Sequence, residues 1–293
     1  MVYRGLQNGD TIVSTHNIPQ ENRISERMET RRIGRINTVG LYTLCNKEVR
    51  RFMKVWMQTI AAPAITTVLF MVIFTLAFRG RGAMLEGSSY ATFLAPGLIM
   101  MAILQNAYAN TTSSILVAKV QGNIVDVLMP PLNAFELTLG FMVGGIIRGV
   151  GVGVVTLLAF ILLMPWIDLE LNVHSIWAIL FFGLMASIFL SLAGILTGIW
   201  ADKFDHASTI SNFVITPLSL LSGTFYTIER LPAAWQVFSH MNPFFYIIDG
   251  FRYGFIGHAE SNLMIGAVYC LVINVILWGI TQHVFTKGYR LKA

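Results

Sequence analysis

Runs of about twenty apolar residues recur along this 293-residue chain and restrict what it can fold into. At 1.5 Å rise per residue, each run is long enough to cross about 30 Å of hydrocarbon as an α-helix. Charged residues make up 12% of the sequence, which is about half the share in a typical soluble domain. The sequence therefore predicts an all-α, polytopic membrane protein.

Six transmembrane helices are expected, and their number puts both termini on the same side of the membrane. Fifteen of the twenty Lys and Arg residues lie on that side, in the tails and two loops. By the positive-inside rule, both termini are cytoplasmic. The expected spans are 58–78, 93–115, 137–164, 176–200, 209–226 and 263–285.

The segment before the first span divides into two parts. Residues 1–38 are charge-rich with few large apolar side chains, which predicts a disordered basic extension. Residues 39–57 have apolar side chains at helical spacing and Lys47, Arg50, Arg51 and Lys54 on the other face. This pattern predicts an amphipathic helix lying flat on the cytoplasmic leaflet. It either orients the first span or contacts a cytoplasmic partner, and residues 58–290 form the six-helix domain.

Glycines are concentrated in the third and fourth spans at spacings that allow close helix packing. The spacing does not say whether the neighbouring helix belongs to the same chain or to a second copy. The glycines are Gly140, Gly144, Gly145, Gly149, Gly153, Gly194 and Gly198.

Arg148 is the main ionisable residue expected inside the membrane. An unpaired guanidinium there costs several kcal/mol unless it reaches water or a partner. The predicted spans offer no acid as a fixed counterion. Arg148 therefore either faces a cavity or a second copy, or extends structurally towards the interface.

The sequence contains no pattern that indicates an enzyme. It has no GxxxxGK[ST] phosphate-binding loop, and its histidines form no metal-binding arrangement. We expect no catalytic residues, no metal, no bound cofactor and no nucleic-acid partner. If ATP drives the protein, a separate polypeptide binds it.

The loop AKVQGNIVDVLMPPLNAFELT after the second span predicts a short helix at the membrane surface, ended by Pro130 and Pro131. Lys119 and Asp126 are expected to be exposed. The helix is either a rigid turn or a lever inserted into a soluble partner.

Residues 227–258 are too apolar for an ordinary loop and too interrupted to cross the bilayer. They predict two short extracellular re-entrant helices, the second capped by Asn242 and started by Pro243. Asp249 and Arg252 are three residues apart and are expected to pair with each other near water.

Taken together, three of these features resemble the permease subunits of ABC-2 type bacterial exporters. They are the basic amphipathic helix, the loop AKVQGNIVDVLMPPLNAFE and the segment SGTFYTIERLPAAWQVFSHMNPFFYIIDGFRYGFIG. The resemblance covers residues 40–290 and is strongest to polysaccharide, nodulation-factor and drug exporters. It implies export of an amphipathic, lipid-linked or glycan-type molecule or a drug. The implied location is the bacterial plasma (inner) membrane.

The resemblance also implies partners and residue roles. The partners are a cytoplasmic ABC ATPase subunit, a second permease copy forming a homodimer, and membrane lipids. The implied ATPase-coupling residues are Lys119, Gln121, Asn123, Asp126, Leu128 and Pro130. The implied exit-region helices carry Asn242, Pro243, Asp249 and Arg252, while no role transfers to Arg148.

The alternative function is an ion-gradient-driven secondary transporter of a hydrophobic solute. Such a transporter usually needs ionisable groups inside the membrane, and the scarcity of acids there argues against it.

Overall fold

The computed structural model describes residues 36–78, 89–167 and 169–289, and these lie in one compact unit. Most of the extension predicted at 1–38 is outside the described residues. Throughout the described ranges the protein is helical and contains no β-strand. The helices are α1 (Thr38–Met53), α2 (Met57–Ala77), α3 (Tyr90–Val120), α4 (Ile124–Leu128), α5 (Ala134–Leu163), α6 (Ile176–Trp200), α7 (204–224), α8 (Ala233–Met241), α9 (Pro243–Ile256) and α10 (Leu263–Lys287).

Five of the described helices are long and apolar enough to cross a membrane: α2, α3, α5, α6 and α10. Their bounds agree with five of the six predicted spans to within a few residues. The all-α, polytopic membrane fold is therefore confirmed.

The span predicted at 209–226 falls on α7, which is a composite helix. It begins as Phe204–Ile210, continues through the π-helical turn Ser211–Ile215 and the α-turn Thr216–Ser219, and ends as π-helical Leu220–Thr224. The left-handed φ of +76° at Gly223 breaks this last turn. The helix covers about 30 Å, but whether it spans the membrane remains a prediction.

Glycines of α5 and α6 allow both helices to approach α3 closely. A Cβ on Gly194 would lie 2.1 Å from Thr111 Oγ1 and 2.7 Å from the carbonyl oxygen of Tyr108, and one on Gly149 would lie 2.9 Å from the carbonyl of Ile103. These distances are too short for any side chain larger than hydrogen. The glycine spacing is therefore explained, at these positions, by packing within one chain.

Helix α1 packs its apolar side on protein, where the sequence predicted lipid. A Cβ on Gly140 would lie 2.4 Å from Leu44 Cδ2, and one on Gly144 would lie 2.7 Å from Glu48 Cβ. From the first contact to the second, the residue number rises on both helices, so α1 runs parallel to the first half of α5. The predicted amphipathic helix is present, but the glycines of α5 supply the surface for its apolar face.

Candidate functional site

A buried polar junction joins α1 to α3. The Glu48 carboxylate is 0% exposed and accepts a hydrogen bond of 2.7 Å from Ser114 Oγ. Arg51 lies 3.3 Å from that carboxylate and donates to the carbonyl oxygen (2.8 Å) and side-chain oxygen (3.0 Å) of Asn110. Sequence reasoning missed this junction, although Glu48 stands four residues from both Leu44 and Phe52 on the apolar side of α1.

Arg148, the predicted intramembrane cation, has an amide as its partner. Its Nη2 donates to Asn106 Oδ1 at 3.1 Å, while its buried Nε has no partner. Asn106 is fixed in turn because its Nδ2 donates to the Ala102 carbonyl at 2.9 Å. Since Asn106 and Asn110 are one turn apart on α3, two arginines from two different helices meet neighbouring positions of the same helix.

An open groove of about 450 Å³ lies between α2, α3 and α7. Among the described residues that line it, none is ionisable, and eight carry an amide or hydroxyl group. Its size is within the usual range for a small-molecule site. The amide and hydroxyl residues are Gln58, Thr66, Thr67, Gln105, Asn106, Ser211, Asn212 and Thr216. Asn106 therefore connects the groove wall to Arg148.

The short helix α4 projects between the end of α3 and the start of α5. Gly122, with a φ of +75°, turns the chain out of α3, and the buried side chain of Ile124 fixes α4 to the bundle. Leu128 is half-buried. Four of the predicted coupling residues are exposed on this projection: Gln121, Asn123, Asp126 and Pro130.

The prediction that Lys119 would be exposed is wrong. Its Nζ donates to the carbonyl oxygens of Ile199 and Ala201, both at 2.7 Å, and lies 3.2 Å from Asp202 Oδ1. Lysine stabilises the end of a helix by satisfying carbonyls that have no intrahelical partner. Lys119 therefore caps α6 and is not part of the exposed surface of α4.

The predicted start of α9 is confirmed. Asn242 Oδ1 accepts a hydrogen bond of 3.1 Å from the backbone N–H of Phe244, and Pro243 occupies the first helical position. Asn242 Nδ2 also donates to the Leu218 carbonyl (2.9 Å) and Ser222 Oγ (2.8 Å). One side chain thus caps α9 and attaches it to α7.

The expected pairing of Asp249 with Arg252 is wrong, and both side chains are buried. Asp249 instead accepts hydrogen bonds from the backbone N–H of Glu260 (2.9 Å), from the N–H of Ser261 (2.8 Å) and from its hydroxyl (2.6 Å). Arg252 Nη1 lies 3.3 Å from Glu260 Oε1, and Nη2 donates to the carbonyl of Gly223. The physical reason is that residues 260–261 fold back over α9 and supply partners that the helix itself lacks.

Glu260 connects this cluster to the chain after α7. Its carboxylate accepts a hydrogen bond of 2.7 Å from the backbone N–H of Ile228 as well as pairing with Arg252. Burial raises the pKa of Glu260, and the charge of Arg252 and the Ile228 N–H oppose that rise. The Arg252 guanidinium also lies 3.9 Å from the ring centre of Phe93 on α3. Glu260 lies outside the predicted exit region, so sequence reasoning did not select it.

Comparison with known proteins gives a consistent family assignment. The family model for ABC-2 type transporters matches residues 40–256. The chain is 38% identical to the inner membrane transport permease YadH of Escherichia coli (strain K12), over 84% of this chain and 95% of that protein. It is 25% identical to nodulation protein J of Rhizobium leguminosarum bv. viciae, over 77% of this chain and 88% of that protein. The chain belongs to the ABC-2 type transporter family and is a membrane permease of that family.

Proposed function

We propose that the chain is the transmembrane subunit of an ATP-driven exporter whose ATPase is a separate cytoplasmic polypeptide. The observation that carries the proposal is the projection around α4. It exposes Gln121, Asn123 and Asp126, and it is attached to the bundle by the buried Ile124. A short, anchored helix between two long ones suits a contact that transmits force from a soluble partner. The sequence itself has no phosphate-binding loop.

Displacement of α4 by an ATPase would move both helices that it joins. Helix α3 contributes Gln105 and Asn106 to the groove wall, and α5 holds Arg148 against Asn106. Helix α1 would move with α3 because Glu48 and Arg51 join the two. The proposed coupling therefore runs from α4 through α3 to the groove by direct contacts.

The groove favours an amphipathic substrate, such as a lipid-linked or glycan-type molecule or a drug. Its polar lining consists of amides and hydroxyls, which form hydrogen bonds without requiring a charged ligand. Since the groove is open on one side, a second copy of the chain would complete its wall, in a homodimer served by two ATPase subunits. We place this assembly in a bacterial inner membrane with both termini cytoplasmic.

Isolation of the tagged permease from native membranes in a mild detergent tests the proposal. Wild-type protein should copurify with a polypeptide that contains a GxxxxGK[ST] loop. The double variant Asn123→Lys with Asp126→Lys should lose that polypeptide and ATP-dependent transport. The control Glu229→Lys changes an exposed acid on the side predicted to be extracellular and should retain both.

Lipid and glycan profiling of a knockout strain would identify what accumulates inside. Retention of the ATPase by the double variant would contradict the assignment of α4. Transport that continues without any ATPase and stops when the proton gradient is dissipated would support a secondary transporter instead.

A further inference from the structure

Two cations of α1 continue the lining of the groove between α2, α3 and α7. The backbone stays helical where α1 meets α2, with φ and ψ of −60° and −25° at Lys54 and of −56° and −32° at Trp56. Arg50, Lys54 and Gln58 therefore follow one another at four-residue spacing on one side of a continuous helix. All three are exposed, and Gln58 lines the groove. We call the opening beside these three residues the groove mouth.

The register of α1 against α5 puts the groove mouth at membrane depth. Leu44 and Glu48 pack on α5 glycines that stand 96 positions later in the sequence, at 140 and 144. The same offset makes Arg50 and Lys54 level with positions 146 and 150, on either side of the midpoint of the 30-residue α5. With α5 centred in the membrane, about 15 Å of hydrocarbon separates this midpoint from the membrane surface. A lysine side chain of four methylenes does not span that distance.

Cations at this depth need water and an anion. A charged side chain that faces hydrocarbon near the bilayer centre is strongly disfavoured, and such residues instead face water-filled cavities and mark substrate pathways. Within the described part of the chain, the ion pairs include neither Arg50 nor Lys54. Arg148, at the same depth, has an amide partner in Asn106, which also lines the groove. The groove mouth is therefore a water-accessible opening with an excess of positive charge.

A second copy of the chain has no acid to place at this depth. The five helices of spanning length contain a single acid, Glu136, which is buried in the cap of α5. Helix α7 has its one acid, Asp205, in its first turn, at the end of the helix. Glu48 of α1 is buried and paired with Arg51. A cytoplasmic ATPase stays outside the hydrocarbon. The missing anion therefore belongs to a molecule that enters the groove.

We propose that the substrate is an anionic amphiphile, whose phosphate or carboxylate group binds Arg50 and Lys54 at the groove mouth. Ammonium and guanidinium groups form strong, charge-assisted hydrogen bonds with both anions. The uncharged part of the substrate lies along the neighbouring amides and hydroxyls of the groove. Cationic amphiphiles are repelled by the same two residues. The proposal rests on the proposed function, because it takes the groove as the substrate site.

Charged thiol reagents test the groove mouth in the complete permease, in membrane vesicles accessible from both sides. Gln58→Cys supplies a reporter thiol in a Cys45→Ala background, and the remaining Cys270 is buried. Rates with an anionic and a cationic methanethiosulfonate are each divided by the rate with a free thiol. The anionic reagent should be favoured by about fivefold or more, because a unit charge about 10 Å away has about that effect in a partly aqueous opening.

Variants separate the charge of the groove mouth from folding. Arg50→Gln with Lys54→Gln should lower the preference for the anionic reagent by about fivefold or more, whereas Arg50→Lys with Lys54→Arg should keep it. The control pair Arg230→Gln and Lys287→Gln removes exposed cations of other regions and should leave it unchanged. A thiol from Ile65→Cys, in the apolar surface between α2 and α5, should react with neither reagent.

Protection of the Gln58→Cys thiol from an uncharged methanethiosulfonate tests the class of ligand. Dodecyl phosphate should slow the reaction by about fivefold or more at a concentration at which dodecyltrimethylammonium and inorganic phosphate do not. This protection should disappear in Arg50→Gln with Lys54→Gln. Vesicles with and without phosphatidylglycerol should give the same rate, because a bilayer headgroup does not reach the groove mouth.

Four results would overturn the proposal: no reaction with either charged reagent, a rate ratio equal to that of the free thiol, equal protection by the two amphiphiles, or protection by inorganic phosphate or phosphatidylglycerol alone. None of these measurements requires ATP or an ATPase. Intact protection without a copurifying ATPase would reject ATP-driven export alone. A copurifying ATPase without protection by dodecyl phosphate would reject the anionic substrate alone.

Discussion

Replacement of Arg252 by methionine should lower the free energy of unfolding by about 3–5 kcal/mol, because it leaves a buried carboxylate without its cation. Arg252 is 1% exposed, pairs with Glu260 at 3.3 Å and donates to the Gly223 carbonyl. Methionine keeps much of the side-chain volume, so the loss reports mainly on charge and hydrogen bonding. The control Arg230→Met removes an exposed arginine and should change stability by no more than about 0.5 kcal/mol.

A double-mutant cycle separates the ion pair from the rest of the site. If the unpaired carboxylate causes the loss of stability in Arg252→Met, adding Glu260→Gln to that variant should recover part of the loss. The interaction energy between the two positions should then be about 1–3 kcal/mol. Thermal unfolding in detergent, followed by tryptophan fluorescence, gives the four apparent melting temperatures. Strictly additive losses would refute the role assigned to the pair.

The pH dependence of the same variant gives an independent check. Burial raises the pKa of Glu260 above its ordinary value of 4.5, and Arg252 opposes that rise. Because the pKa of Glu260 is higher in the folded state than in the unfolded state, its carboxyl contributes its full stabilisation of the fold when the pH lies below the unfolded-state pKa. This contribution is lost as the pH rises through the folded-state pKa. Arg252→Met raises the folded-state pKa further, so its deficit relative to wild type should grow over the interval that begins at the ordinary carboxyl pKa of 4.5 and extends to higher pH. A deficit that does not change over this interval would refute the reasoning.

Three further changes should have distinct outcomes in the same unfolding assay. Gly194→Ala should destabilise the protein by about 1–3 kcal/mol because its Cβ would meet a hydroxyl and a carbonyl of α3. The control Gly151→Ala, with open space around it, should be neutral or slightly stabilising. Equal changes in stability for the two variants would contradict the close packing of Gly194 on α3. Lys119→Gln should cost about 1.5–3 kcal/mol through the lost caps of α6, whereas the exposed Lys203→Gln should not. Arg148→Met should preserve the fold, because the guanidinium has one amide partner, and should change transport; a large loss of stability would contradict this.

Those parts of the fold that depend on composition and periodicity could be predicted from the sequence. Long apolar runs identified five spans because each must satisfy its backbone internally and match the membrane thickness. The cap at Asn242 was predictable because it depends on residues adjacent in sequence. The spacing of Gly140 and Gly144 predicted close packing, but only the structure shows that Leu44 and Glu48 fill the space.

The partners of buried charges could not be predicted, because they depend on contacts between residues far apart in sequence. Helical spacing suggested Asp249 for Arg252, yet Glu260 returns from the following link to pair with it. Lys119 looked exposed because its partners lie on α6, about eighty residues later. Likewise, helical spacing assigns Arg51 to the basic face of α1, although it meets Asn110.

Photo-crosslinking at position 123 in living cells tests the central claim most directly, because Asn123 lies on the α4 projection. A photoreactive amino acid replaces Asn123 in one strain and Glu229, on the side predicted to be extracellular, in another. We predict a covalent adduct with an ABC ATPase at position 123 and none at position 229. No ATPase adduct at position 123, or an adduct confined to position 229, would contradict the account.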